Sequence, residues 1–235
     1  MRFQIYKQNA LEIKKHNSDP SKTYKKAENQ FTDLTTEEFQ RYYLSSSFNI
    51  IGPPKKYQVK DKKGTIGGSS SSITVNLLNP PQPIDWRIVN KTIGAIKDQG
   101  LCGSCWAFAA IGSIEANYFI YRQKRVILSE QQLLDCCNGP KYPNTYGCRG
   151  TSSMNEPFDY SNNVGLILST NYPYQASQQK CQESSYTKTK YLDSTLPYIY
   201  GQIDSINLQS LVNLTPVTVT LSTVNWKFYS SGVLN

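Results

Sequence analysis

Residues 99–109 read Gln99-Gly100-Leu101-Cys102-Gly103-Ser104-Cys105-Trp106-Ala107-Phe108-Ala109. This stretch combines a glutamine, a Cys-x-x-Cys pair and an apolar run that starts at the second cysteine. Apolar side chains recur to about Tyr121 without a proline, which predicts a largely buried helix that begins at Cys105. A cysteine at a helix N-terminus lies beside unpaired N–H groups and the positive end of the macrodipole, and both lower its pKa. The stretch therefore predicts a nucleophilic cysteine.

A Cys-x-x-Cys pair is more commonly a redox or zinc motif, so both alternatives need attention. A thioredoxin-like site requires a strand before the pair, but Pro80, Pro81, Pro83 and the loop-like stretch 94–100 precede it. A zinc site requires a second pair of ligands, and the next two cysteines, at 136–137, are adjacent rather than two residues apart. We therefore expect neither a metal nor a cofactor.

The stretch also matches the Cys-Gly-[Ser/Ala]-Cys-[Trp/Tyr] signature of papain and the cathepsins. The chain resembles the papain-like cysteine proteases, most nearly the cathepsin L type, and nearly its whole length shares the resemblance. Further segments match landmarks of that family: Asp85–Arg87, Leu128–Cys136 with Ser129 as a helix cap, Gly147–Gly150, and Tyr172–Tyr174 followed by Cys181.

The N-terminal residues resemble the inhibitory propeptide of the same family. One set falls at the spacing of the helical ERFNIN pattern, with Tyr in place of Phe: Arg2, Tyr6, Asn9, Ile13 and Asn17. A second set follows the propeptide pattern Gly-x-Asn-x-Phe-x-Asp, with Ala in place of Gly: Ala27, Asn29, Phe31 and Asp33. A capped short helix is also predicted from Thr35 through Phe39 to Tyr43.

The resemblance implies an α+β, papain-like two-domain fold preceded by a helical propeptide. Residues 1–44 are the inhibitory propeptide helical region, 45–82 a propeptide linker through the active-site cleft, and 83–235 the papain-like peptidase domain. Within that domain, residues 83–185 form the helical left half. Residues from about 190 begin the antiparallel right half, where the alternation at 218–221 predicts a strand. We expect this second half to be incomplete and its apolar face uncovered.

The resemblance also assigns roles to individual residues. Cys105 is the nucleophile that forms a thioester, and the Gln99 amide supplies half of the oxyanion hole beside the Cys105 backbone N–H. The substrate-binding candidates are Trp106, Gly150 and Met154. An ordinary core role is an equally good interpretation of Trp106, and filling a gap in the core is the more frequent use of a methionine. Thr151 follows Gly150 where the family has a second glycine.

The six cysteines indicate an oxidising compartment. The resemblance implies disulfides Cys102–Cys148 and Cys136–Cys181, which leaves Cys105 free and Cys137 unassigned. Residue chemistry alone does not choose among the possible pairings, and Cys137 is the alternative partner of Cys181. Two glycosylation sequons, at 90–92 and 213–215, matter only if the protein enters the secretory route.

The only histidine is His16, inside the propeptide pattern, so no imidazole follows Cys105. In this family the catalytic histidine and asparagine follow the cysteine by about 130–150 residues, and Asn235 lies where that histidine is expected. The chain also begins inside the propeptide helix without a secretory signal. A fragment or misplaced gene boundary is the simplest account, and true loss of the base is the alternative. The expected function is a papain-like cysteine endopeptidase in zymogen form; the alternative is a catalytically silent papain-like protein or a propeptide-type protease inhibitor.

Composition narrows the set of partners. Hydrophobic residues make up 38% of the 235 positions, and no run of 18 or more apolar residues predicts a membrane span. The net charge of +8 comes largely from lysine pairs spread over a helix and a linker, without a nucleic-acid recognition motif. We therefore expect peptide or protein substrates and the protein's own propeptide as partners, with no nucleic acid and no membrane. The resemblance implies a monomer in the lysosome or vacuole, or outside the cell.

Overall fold

Six α-helices, two short β-strands and three single-turn 3₁₀-helices form the regular structure in the described part of the chain. The computed structural model describes residues 1–44, 83–192, 205–221, 223 and 226–234. The elements are α1 (Arg2–Ser18), β1 (Tyr24–Lys26), α2 (Thr36–Tyr43), α3 (Cys105–Arg122), α4 (Glu130–Cys136), α5 (Asn155–Val164), α6 (Ser205–Leu214) and β2 (Tyr229–Gly232). None of the described helices combines the length and the apolar character that a membrane span requires.

The chain divides into two compact units. The first contains Met1–Leu44 together with Thr220–Asn235, and the second contains the described residues from 83 to Val219. The first unit thus combines the N-terminal region with residues 220–235. Its bounds therefore differ from those of the propeptide expected from the sequence, which ends at about residue 83. The linker expected at 45–82 lies outside the described residues.

The first unit is organised by the ERFNIN-pattern residues on one face of α1. The Asn9 amide donates to the carbonyls of Thr32 (2.8 Å) and Leu34 (2.9 Å), so it fixes the chain just before α2. Asn17 exchanges two hydrogen bonds with the backbone of Lys26, at 2.7 and 2.9 Å, as a neighbouring strand would. A helix with these residues at this spacing can therefore satisfy the backbone of the segment that follows it.

The two strands form an antiparallel pair within the first unit. Tyr24 lies opposite Gly232, and the register is irregular between Lys25 and Lys26. Gly232 has φ 95°, and a Cβ atom there would lie 2.5 Å from the carbonyl oxygen of Thr23. Only glycine fits this close approach without displacing the opposite strand.

The core of the second unit is built on α3. This helix packs against α4 and α5, and its buried side chains come from one face and its first turn: Trp106, Ala107, Ala110, Ile111, Ile114 and Ala116. The indole N–H of Trp86 donates to the carbonyl of Val212 in α6 at 2.7 Å. This bond connects α6 to the segment that begins at residue 83. Burial of α3 on this scale is the main source of its stability.

Helix starts agree with the sequence-based expectations. The Thr35 side chain and Glu38 form a capping box at α2, and the Ser129 hydroxyl accepts from the backbone N–H of Gln132 (3.0 Å) at α4. Helix α3 begins at Cys105 as predicted and ends at Arg122, one residue beyond Tyr121. These three starts were readable because their signals are local.

The strand predicted at 218–221 is wrong. Residues 216–221 are irregular, and the Thr218 hydroxyl donates to the carbonyl of Ala109 in α3 at 3.0 Å. No neighbouring strand pairs with this segment among the described residues, so the alternating pattern has no ladder to join. Val219 and Leu221 are about half exposed, at 53% and 49%, as expected for an apolar face without a cover.

Candidate active site

The loop that leads to Cys105 is shaped by a tight turn and a disulfide. The Asp98 carboxylate accepts from the backbone N–H of Gly100 (2.8 Å), and Gly100 has φ 59°, in the left-handed region. Cys102 and Cys148 form a disulfide, and the Gly103 N–H donates to the Cys148 carbonyl at 2.9 Å. These contacts fix the loop on both sides of Gly103, two residues before the start of α3 at Cys105.

Cys105 is the first residue of α3, exposed to solvent and outside any disulfide. Two cysteines three positions apart thus have different states: Cys102 is in a structural disulfide, and Cys105 carries a free thiol. This is the arrangement that the nucleophile assignment requires, since a thiol locked in a disulfide cannot attack a carbonyl.

The pKa of the Cys105 thiol is raised, so the expectation of a lowered pKa is wrong for the chain as described. Desolvation by the surrounding protein disfavours the thiolate and is the largest cause. Hydrogen bonds from the backbone N–H groups of Trp106 and Cys105 favour the thiolate and offset this only in part. The helix N-terminus therefore acts on the thiol, but it does not by itself produce a reactive thiolate.

Gln99 lies on the loop where an oxyanion donor is expected. Its side-chain amide nitrogen donates to the backbone carbonyl of Cys102 at 2.7 Å. This bond orients the amide against the loop that ends at Cys105. In the described structure the Gln99 amide therefore bonds the backbone of its own loop. Its role as an oxyanion donor toward a substrate stays a prediction.

Tyr174 is a site residue that the sequence analysis did not single out. Its hydroxyl donates to the carbonyl of Gln99 at 2.8 Å and lies 2.5 Å from the hydroxyl of Ser104. Its ring also packs edge-on against Phe108, with centroids 4.8 Å apart. Tyr174 therefore contacts the beginning of the active-site loop, its end and the first turns of α3. The motif at 172–174 was noted only as a landmark, and nothing local revealed this contact.

The three substrate-binding candidates are integrated into the protein itself. Trp106 is only 2% exposed, and its indole N–H donates to the Gly147 carbonyl at 3.1 Å, which agrees with the core interpretation. The Gly150 N–H donates to Gly147 and its carbonyl accepts from Tyr146, so both backbone groups are used inside the loop. Met154 is half-buried and packs against the core cluster. Substrate contacts by these residues remain a prediction.

A cluster of three charged side chains lies beside the loop, and of the three only Glu130 is buried. The Lys97 ammonium lies 2.8 Å from the Glu115 carboxylate and 2.5 Å from that of Glu130. The same Glu115 oxygen accepts from the backbone N–H of Leu128 at 2.7 Å. Burial raises the pKa of Glu115 despite these partners, while the two carboxylates hold the pKa of Lys97 above its usual range. One cation thus neutralises two carboxylates next to the residues that lead to Gln99.

The remaining cysteines follow the pairing that the resemblance implies. Cys136 forms a disulfide with Cys181, and Cys137 is free and fully buried. Burial raises the pKa of the Cys137 thiol to about 12, so it is an unreactive core residue. Glu183 lies close to the Cys136–Cys181 sulfurs, but a disulfide offers no thiolate to a metal.

His16 is engaged within the first unit. Its Nε2 atom lies 3.1 Å from the Tyr24 carbonyl oxygen, and the two rings are 4.3 Å apart. The ring thus helps to fix the end of α1 against β1. Among the described residues, the second unit contains a nucleophile candidate and oxyanion candidates but no imidazole.

Comparison with known families matches both parts of the chain. The model of the papain family cysteine proteases matches residues 80–235, and that of the cathepsin propeptide inhibitor domain matches residues 1–39. The chain belongs to the papain family of cysteine proteases. Its fold is accordingly the α+β papain-like fold, with an N-terminal propeptide inhibitor domain.

Individual relatives match nearly the whole of this chain. The putative cathepsin L 3 of Paramecium tetraurelia is 35% identical over 237 residues, which cover 100% of this chain and 67% of the relative. The probable cysteine protease RDL3 of Arabidopsis thaliana is 32% identical over 99% of this chain and 58% of its own length. This papain-family chain therefore spans about six tenths of the length of such relatives.

Solved structures of cysteine protease precursors also match this chain. A recombinant stem bromelain precursor has a TM-score of 0.75 and 30% identity, covering 99% of this chain and 68% of its own. The proform of the ragweed cysteine protease Amb a 11 has a TM-score of 0.73 and 28% identity, covering 98% and 61%. Both are precursor forms, like the propeptide-bearing chain described above.

Proposed function

We propose that this chain is the zymogen region of a cysteine endopeptidase in which Cys105 attacks the scissile carbonyl of a peptide. The observation that supports this most directly is an exposed, unpaired Cys105 at the first position of a buried helix, beside a disulfide-bonded Cys102. A thiol in that position can accept help from backbone N–H groups when it ionises and can reach a substrate from solvent.

The proposed chemistry proceeds through a thioester. The sulfur of Cys105 adds to the carbonyl carbon, and the developing oxyanion accepts hydrogen bonds from the Cys105 N–H and the Gln99 amide. The C–N bond then breaks, and the leaving amine takes a proton. Water hydrolyses the thioester in a second addition and regenerates the thiol. Proton transfer requires an acid–base group, and because residues 83–235 contain no histidine, the proposal requires an imidazole from outside this segment.

The N-terminal region is proposed to act as the inhibitor of the same protein. Support comes from the match of residues 1–39 to the propeptide inhibitor domain and from the similarity to solved precursor forms. The domain assignment is then 1–44 for the helical propeptide, 45–82 for the segment through the cleft and 83–235 for the peptidase domain. We further propose a monomer that acts on peptides or proteins in a lysosome, vacuole or extracellular space, without nucleic-acid or membrane partners.

A catalytically silent relative is the second candidate. The absence of a histidine from residues 83–235 favours it, because a thiol without a base forms little thiolate at neutral pH. A propeptide-type inhibitor of related proteases belongs to the same alternative. Both alternatives predict that a longer gene product, if one exists, is as inactive as residues 1–235.

The test compares three forms of the protein: residues 1–235, the complete product of the natural transcript, and that product carrying Cys105→Ser. Each is processed at acid pH and assayed with a fluorogenic peptide. We expect the complete product to be active, Cys105→Ser to be inactive, and residues 1–235 to be slower by at least the roughly 10²–10⁴-fold that general acid–base assistance contributes. A transcript with a stop codon after Asn235, or a complete product without thiol-dependent activity, would favour the silent protein.

A further inference from the structure

The two glycosylation sequons, Asn90-Lys91-Thr92 and Asn213-Leu214-Thr215, have no part in the proposed reaction. Both satisfy the Asn-x-Ser/Thr rule for attachment of an N-linked glycan. That rule alone treats the two sequons as equal. The structure treats them differently, because their asparagines have different exposure, different backbone conformations and different partners.

Asn90 lies in an exposed turn at residues 89–91. Its backbone has φ 50° and ψ 17°, a left-handed conformation that asparagine adopts more readily than most residues. The turn is fixed by Thr92, whose N–H and hydroxyl both donate to the Val89 carbonyl, at 3.0 and 2.8 Å. The Asn90 carbonyl accepts from Arg125 at 3.3 Å. Among the described residues no group bonds to the Asn90 side-chain amide, so the atom that would carry a sugar faces no competitor.

Asn213 has the opposite properties. It lies in the last turn of α6 and is half-buried, and its side-chain Nδ2 donates to the Gln209 carbonyl at 3.0 Å. Nδ2 is the same atom that a glycan would occupy. Pro216 directly follows Thr215, and a residue before proline is restricted to extended conformations. The second sequon therefore has an amide already used by its helix and a threonine with little freedom to adopt a turn.

The surroundings of Asn90 supply a further argument. Three apolar side chains lie in or beside the turn and reach solvent: Ile88 is 77% exposed, Val89 37% and Ile93 45%. Adjacent exposed apolar residues on a secreted protein promote association unless something covers them. A bulky hydrophilic glycan attached at Asn90 would cover this surface.

We propose that Asn90 carries an N-linked glycan and that Asn213 does not. In the reaction, the Asn90 Nδ2 atom forms a bond to C1 of a lipid-linked oligosaccharide. The bond from C1 to the lipid pyrophosphate breaks, the amide loses one proton, and the lipid pyrophosphate leaves. The Cys102–Cys148 and Cys136–Cys181 disulfides support passage through the oxidising compartment where this transfer occurs. The proposal requires secretory entry but no catalysis by Cys105, so its failure would leave the protease proposal intact.

The test expresses residues 1–235 behind a secretion signal in yeast and analyses secreted and retained protein together. Peptide:N-glycosidase treatment converts a glycosylated asparagine to aspartate, which peptide mass spectrometry locates. The variants are Asn90→Asp, which keeps a residue that tolerates the left-handed turn, Asn213→Gln, and Thr92→Ser, which keeps the sequon.

We expect one glycan per chain, attached at Asn90 in the wild type, in Asn213→Gln and in Thr92→Ser, and no glycan in Asn90→Asp. The enzymatic mobility shift should disappear only in Asn90→Asp. A chain that reaches the secretory compartment with Asn90 unmodified would overturn the proposal. Modification of Asn213, alone or together with Asn90, would overturn the structural distinction between the two sites.

Discussion

The Tyr174 hydroxyl holds the hydroxyl of Ser104, the residue immediately before Cys105, at 2.5 Å. Tyr174 uses its single proton to bond the Gln99 carbonyl, so Ser104 is the donor in the pair. Ser104 is the N-cap residue of α3, yet its side chain makes no capping hydrogen bond. The N–H of Trp106, which an N-cap side chain could otherwise bond, is therefore left to the thiol sulfur, as is the N–H of Cys105. Tyr174 thus directs Ser104 away from a role that would compete with the nucleophile.

Replacing Tyr174 by Phe should make Cys105 less reactive. Without the tyrosine hydroxyl, Ser104 becomes able to cap α3 and to compete for the Trp106 N–H, one of the two that favour the thiolate. The rate of Cys105 alkylation by iodoacetamide, followed against pH in residues 1–235, should show a midpoint about half a pH unit higher than in the wild type. The wild-type midpoint should itself lie above that of a free cysteine, since desolvation raises the pKa of this thiol.

The matched control is Ser104→Ala combined with Tyr174→Phe. Alanine cannot cap the helix, so the double variant should regain most of the wild-type midpoint. Cys105→Ser gives the background from Cys137, which is buried and should react slowly. Equal midpoints in the wild type and Tyr174→Phe would contradict the competition argument.

Removing the Lys97 charge should destabilise the second unit in a pH-dependent way. Lys97→Met leaves the buried Glu130 carboxylate and the partly buried Glu115 carboxylate without their cation, which costs about 1–3 kcal/mol of unfolding free energy at neutral pH. Because the pKa of Glu115 is raised in the folded protein, its contribution to stability is lost as pH rises through that pKa. The difference from the wild type should therefore shrink as the pH is lowered toward 4, as measured by urea unfolding.

A second substitution separates charge from packing at this site. Glu115→Gln keeps an oxygen that can accept from the Leu128 N–H but carries no charge. Added to Lys97→Met, it should recover part of the lost stability at neutral pH and little at acid pH. A penalty for Lys97→Met that is the same at every pH would point to lost packing instead.

Gly232→Ala should open the strand pair of the first unit. The substitution adds a Cβ 2.5 Å from the Thr23 carbonyl oxygen at a residue with φ 95°, and a strained backbone of this kind costs about 1–3 kcal/mol. Hydrogen exchange of the β1 residues Tyr24–Lys26 should accelerate accordingly. Gly139→Ala is the control, because Gly139 also has positive φ but meets nothing within 4 Å. Its effect on β1 exchange should be nil.

The two adjacent cysteines should differ in their contribution to stability. Cys136→Ala removes the disulfide to Cys181, whose partners are 45 residues apart, and should lower the unfolding free energy by about 3–4 kcal/mol. Cys137→Ala should lower it by about 1 kcal/mol, since it removes only one small buried side chain. A larger loss for Cys137→Ala than for Cys136→Ala, or a Cys137–Cys181 bond found by non-reducing peptide mapping, would show that Cys137 is the natural partner.

The sequence predicted what local signals encode. The starts of α3, α2 and α4 were readable from an apolar period and from capping residues three positions apart. The strand at 218–221 failed because alternation shows only that one face is apolar, whereas a strand also needs a neighbour. The pKa of the Cys105 thiol is shifted upward rather than downward as expected. The cause is desolvation, which depends on residues distant in the sequence. Tyr174 was missed for the same reason, since 70 positions separate it from Ser104.

The pairing of β1 with β2 sets an order of events during synthesis. The contact between Thr23 and Val233, at the edge of this pair, joins residues 210 positions apart. At a typical elongation rate of roughly 5–20 residues per second, the ribosome needs about 10–40 s to cover that interval. Throughout this time Tyr24–Lys26 has an unpaired edge in the nascent chain, and such edges are templates for association with other strands. The residues that complete the sheet follow residues 83–219 in the chain, so the first unit closes only after that part of the second unit has been made.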